Sequence, residues 1–172
     1  MKKYLPPKVL RFLLAKKIVN KYEKVDWNRL ESHDLSEEEM KLLYIRMKPI
    51  RFLRDYPLER KNKKLVLAAV QQNGRALEYA SKELRKDHEV VLAAVKQTHL
   101  ALEYAIGIKD NRIVILAAAR NMNFPRGAIL FHRTSPLNYA SDRLRNDHDV
   151  VKAAVSQIGT SLKYASNRLK NH

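Results

Sequence analysis

The strongest constraint on this chain is that it repeats itself. Residues 62–85 read NKKLVLAAVQQNGRALEYASKELR, 86–109 read KDHEVVLAAVKQTHLALEYAIGIK, and 146–170 read NDHDVVKAAVSQIGTSLKYASNRLK. A further copy opens as DNRIVILAAARN at Asp110 and closes as SPLNYASDRLR at Arg145, with an insertion between. A period of this length marks supersecondary units that cannot bury their apolar faces alone and must stack on their neighbours. The expected fold is therefore all-α: short helical-hairpin repeats over 61–85, 86–109, 110–145 and 146–172, stacked as an α-solenoid, with an N-terminal helical cap over 1–60.

Each copy reads as two short helices. Leu65-Val66, Val90-Val91, Val114-Ile115 and Val150-Val151 precede an alanine pair and then Val70, Val95, Ala119 or Val155, the spacing of one apolar helix face. Asp87, Asn111 and Asp147 stand at N-cap positions, and Glu89 and Asp149 follow in the positive first turn. Gly74 and Gly159 predict left-handed C-caps. The second helix carries Leu-x-Tyr-Ala, with tyrosines at 79, 104, 139 and 164. The alanine pairs predict close helix contacts with both alanines buried. Lys152 and Ser161, which replace apolar residues of earlier copies, fit a terminal unit with no successor. In the cap, Pro6-Pro7 precede a helix over about 8–22. Leu35 and Ser36 open a capped helix that Pro49 ends.

Only four glycines and six prolines leave little turn chemistry for strands, and the absence of cysteine excludes disulfides and a thiol nucleophile. The longest apolar run, 113–119, is too short to span a membrane, and Arg11 and Lys16 interrupt any signal-peptide core. The expectation is a protein that is cytoplasmic, or delivered to a host cell without a classical signal. A net charge of +16, with both halves of the chain positive, favours acidic proteins, nucleic acid or anionic lipid as partners.

The pattern AAV-x-Q-x-G-x-x-L-x-YAS-x-x-LR-x-D-x-x-VV over roughly 61–170 resembles the repeat family catalogued as domain of unknown function 4116. The resemblance implies a bacterial protein, of a kind that includes candidate effectors of intracellular pathogens, and brings no established activity or catalytic residues. The N-terminal sixty residues and the third copy, with its insertion, lie outside the pattern.

The candidate binding residues are basic. Arg85, Lys109, Arg145 and Lys170 follow the last apolar residue of each copy, thickened by Arg143 and Arg168. They form either a ladder for an anionic partner or a set of cations complementing helix C-termini and nearby aspartates. The insertion adds Arg120, Phe124, Arg126 and Arg133, as a binding loop or as packing. The tyrosine row could stack bases or pack between hairpins. Gln72, Gln97, Asn121 and Gln157 are placed to satisfy carbonyls at the first helix end. The histidines, with His88 and His148 beside capping aspartates, carry no metal motif. Without a nucleophile–base pair, phosphate loop or paired acids, the expectation is a monomeric, non-enzymatic binding module with no cofactor, whose basic surface meets an acidic protein. An RNA- or DNA-binding repeat protein, or a membrane-surface binder acting through the N-terminal basic helix, is the alternative.

Overall fold

The structure, a computed structural model, describes residues 37–121 and 134–171. Every regular element among them is helical. None of these helices is long and apolar enough to cross a membrane. The helix expected near 8–22 and the capping residues Leu35 and Ser36 lie outside the described residues.

The α-helices are α1 (Glu37–Met47), α2 (Pro49–Asp55), α3 (Lys63–Gln72), α4 (His88–Gln97), α5 (Arg112–Arg120), α6 (Asp142–Arg145), α7 (His148–Gln157) and α8 (Asn167–Lys170). Helices α3, α4, α5 and α7 open the four copies, and each is capped as its sequence dictates. Asn62 accepts from Leu65 N, Asp87 from Glu89 N and Val90 N, Asn111 from Val114 N, and Asp147 from Val150 N. Contacts run in succession from α1 to α3, α4, α5 and α7.

The second helix of each unit is a 3-10 helix: Gly74–Tyr79, His99–Glu103, Pro136–Tyr139 and Gly159–Tyr164. Its successive copies also touch. Six residues or fewer give too few bonds to repay helix nucleation, so tertiary packing holds these turns. The left-handed C-caps expected at Gly74 and Gly159 do not form. Among the described residues the only glycine with positive φ is Gly107, at 73°. The first helix ends instead in an extended residue, Asn73 (φ −152°), Thr98 (φ −157°) or Ile158 (φ −140°). The reason is economy of backbone: that residue is also the N-cap of the next 3-10 helix, and an N-cap sits in the β region. Asn73 accepts from Arg75 N, and Thr98 from Leu100 N.

Gly74 serves close approach. A Cβ there would lie 2.3 Å from the Ala94 carbonyl oxygen, so the start of one 3-10 helix presses on the backbone of the following α4. The alanine pairs divide. Ala69, Ala94, Ala118 and Ala154 are fully buried, whereas Ala68, Ala93, Ala117 and Ala153 are only half-buried, which corrects the expectation for both. Adjacent helical residues are 100° apart, so a single stripe of contact covers one of the two.

Residues 37–61 follow the same plan. A shift of 25 places Tyr44 and Ile45 under Ala69 and Val70, Phe52 under Leu77, and Arg60-Lys61-Asn62 under Arg85-Lys86-Asp87. Tyr44, Ile45 and Phe52 are buried like their counterparts. Pro49 does end α1, yet it also opens α2 as its first residue, where a missing N–H costs nothing.

A backbone hydrogen bond joins each unit to the one before it. Ser81 N donates to Arg60 O (2.9 Å), Ile106 N to Arg85 O (2.9 Å), Ser141 N to Lys109 O (2.6 Å) and Ser166 N to Arg145 O (2.9 Å). The serine of Tyr-Ala-Ser also caps the final turn, accepting from Leu84 N, Leu144 N and Leu169 N.

Candidate binding surface

The cations that look equivalent in sequence hold different positions in space. Arg85 Nε donates to Tyr104 O at 2.6 Å, across the seam to the next unit. Arg145 Nε donates to Leu137 O (3.1 Å) and its Nη2 to Asn138 O (3.3 Å), within its own unit. Arg60 repeats that arrangement on Leu53 O (2.8 Å) and Arg54 O (3.1 Å). These half-buried guanidiniums satisfy carbonyls left over by short helices, so the ladder is in part structural. Lys109 and Lys170, by contrast, are exposed.

Arg143 and Arg168 each reach back to the first residue of their own unit. Arg143 Nε lies 2.8 Å from Asp110 Oδ1, which also accepts from Ser141 Oγ (2.7 Å), and the arginine holds the Asp110 carboxyl below its ordinary range. Arg168 Nε meets Asn146 Oδ1 at 3.0 Å, the corresponding position one unit later. In the first unit the same two places are held by Lys61 and Glu83 with the charges exchanged, and Lys61 contributes to keeping the Glu83 carboxyl low, after its hydrogen bonds to backbone and Ser81.

A second set of clamps links first helices. Lys63 Nζ contacts Asp87 and Glu89, each at 2.8 Å. Arg112 contacts Asp147 (2.8 Å) and Asp149 (2.7 Å). The partners Lys63 and Arg112 are the leading reason that the Asp87 and Asp147 carboxyls sit low, with the cap amides adding to it. Sequence inspection missed these residues. The signal was available, because Lys63 and Arg112 share a place in their units and the acids share another.

The tyrosines at 79, 104, 139 and 164 are half-buried and pack against the core. Arg60 lies 6.0 Å from the Tyr79 ring centroid and Lys163 4.7 Å from that of Tyr164. Burial, with Glu103 and the neighbouring Tyr104 and Tyr164 behind it, pushes the Tyr139 hydroxyl up. Glu103, from the preceding unit, is the charged group that adds to this upward push.

Of the amide row, only Asn121 shows the carbonyl-satisfying role, donating to Val95 O (3.2 Å) and Lys96 O of the preceding helix. Gln72, Gln97 and Gln157 are exposed. His88 and His148 are exposed, while His99, in the place of Gly74, is buried and its imidazole is pushed down by desolvation. Arg120 is exposed at the end of α5, and Phe124, Arg126 and Arg133 lie outside the described residues.

No curated protein and no solved structure matches this chain. A family model described as a domain of unknown function (DUF4116) matches residues 62–106 and 129–170, so it takes in the first two units, the fourth and, contrary to expectation, the closing part of the third. With half of its length accounted for in this way, the chain belongs to the DUF4116 family.

Proposed function

We propose that this chain is a monomeric, non-enzymatic binding module, a short α-solenoid whose basic surface meets an acidic protein. The succession of contacts between first helices, with one backbone hydrogen bond per seam, supports the solenoid reading. The observation that carries the binding reading is how the charges are divided. Acidic groups such as Asp87, Asp110 and Asp147 are occupied by cations, while Lys61, Lys82, Lys86, Lys96, Lys109 and Arg120 are exposed. A surface so arranged attracts an acidic partner and repels a basic one.

The half-buried tyrosines favour this reading over a nucleic-acid one, because rings packed against the core leave little surface for bases to stack on. The test is capture of partners by the intact chain, with and without nuclease, beside the Lys86→Glu/Lys109→Glu variant. We expect a nuclease-resistant protein partner that the double variant loses while its helical circular dichroism is unchanged. Capture abolished by nuclease, with affinity falling steeply with salt, would instead make this a nucleic-acid binder.

A further inference from the structure

Each internal seam is built from one helix face of the preceding unit, and the last unit repeats that face with a changed charge. In the first copy the face comprises Lys63, Leu67, Val70 and Gly74, at i, i+4, i+7 and i+11, followed by Leu77. Lys63 grips the acids at the start of α4, and Gly74 lies under Ala94 O. Val70 and Leu77 are completely buried.

The corresponding residues of the last unit are His148, Lys152, Val155, Gly159 and Leu162. Here a Cβ on Gly159 meets no atom within 4 Å, Val155 is only half-buried, and Leu162 is 38% exposed. The glycine that admits a helix backbone is retained where no described helix uses it. Two further positions become basic. Lys152 replaces Leu67, Leu92 and Leu116, and Lys163 stands where Glu78 and Glu103 stood. His148 and Lys152 are exposed, and Lys163 lies at the edge of the same face over Tyr164.

We propose that this end face receives one α-helix of a separate protein, acidic in its first turn and carrying alanine where its backbone crosses Gly159. The geometry is that of the internal seams. The first-turn acids would take the place that Asp87 and Glu89 hold against Lys63, now facing His148 and Lys152. The alanine would let a carbonyl settle over Gly159 as Ala94 does over Gly74, and Val155 and Leu162 would be covered. The charge complementarity selects the partner: Lys152 and Lys163 border the face, and His148 stands in the place from which Lys63 grips two carboxylates. The inference takes the sign of the partner's charge from the acidic-partner reading and its location from the seams alone.

The probe is the peptide KDHEVVLAAVKQTHLALEYA, residues 86–105 of this chain, which fills the equivalent position after the first copy. Fluorescently labelled peptide is titrated with the full chain and followed by anisotropy. We expect saturable binding that weakens at least about tenfold with Gly159→Leu and with Lys152→Glu. The melting temperature of Gly159→Leu should stay at the wild-type value, since the new side chain enters open space. The Lys86→Glu/Lys109→Glu variant should bind the peptide normally even if it loses its captured partner, so the end-face inference and the edge reading fail separately. Absence of saturable binding, or binding unchanged by Gly159→Leu, overturns the inference. Sedimentation that shows concentration-dependent self-association, abolished by Gly159→Leu, overturns it in another way by assigning the face to a second copy of this chain.

Discussion

Residues 62–85 and 146–170 share a plan, yet a described unit stacks after the first and none after the second. Leu77 is fully buried and Leu162 is 38% exposed, and a Cβ on Gly74 would meet a neighbouring backbone whereas one on Gly159 would meet none of the described residues within 4 Å. Identical residues thus have different energies because their neighbours differ. In a stack the energy of a unit lies largely in its seams.

The largest test of that contrast is deletion of the two leucines. Leu77→Ala should cost about 2–5 kcal/mol through lost burial and a residual cavity, and Leu162→Ala a small fraction of that. Urea denaturation of both variants reads the difference directly. Equal losses would mean that the end face is covered in solution.

The glycines sharpen the comparison further. Gly74→Ala should destabilise by about 1–3 kcal/mol, because the obstacle is a backbone oxygen that cannot rotate away. Gly159→Ala should be neutral or stabilise by about 0.4–1 kcal/mol through the unfolded chain's lost entropy. Differential scanning calorimetry should therefore move the two melting temperatures in opposite directions.

A third contrast lies at Ser161, which replaces Ala76 and Ala101. Its hydroxyl is completely buried without a hydrogen-bond partner. Ser161→Ala should stabilise by about 1 kcal/mol, since it removes a desolvated polar group from a site shaped for a methyl. A loss of stability, measured by thermal melting, would place a hydrogen bond on that hydroxyl.

The smallest effect is on pH dependence. Asp87 and Asp147 have carboxyls lowered in the folded state from the ordinary 3.8, so their contribution is complete above that value and disappears as pH falls through the lowered folded values. The melting temperature should decline between about pH 5 and pH 2, and the Asp87→Asn/Asp147→Asn variant should show a shallower decline. The clamps are partly exposed, so added salt should narrow the gap between the two profiles.

The caps and the first helices were legible in the sequence because both depend on local chemistry. Asp87 caps α4 through amides two and three residues away, and Val90, Val91, Ala94 and Val95 form one face by helical geometry alone. Residues 37–61 were harder to read. Leu43-Tyr44 takes the place of the alanine pair and Pro49 that of Gly74, so the register survives where the signature does not. The cation row misled for a different reason. Equal spacing in sequence made Arg85, Lys109 and Arg145 look alike, while carbonyls contributed by other turns capture the two arginines.

What the sequence by itself determined is the unit: the period, the apolar face and the caps, all set by interactions spanning a few residues. What only the tertiary structure decided is the use of each surface position. Arg143 pairs with an aspartate 33 residues away, and Lys63 with one 24 away. Gly74 is required by a carbonyl in the next unit and not by its own φ. Such roles depend on which unit stacks on which face, and they emerge only once the chain has brought distant residues within reach of one another.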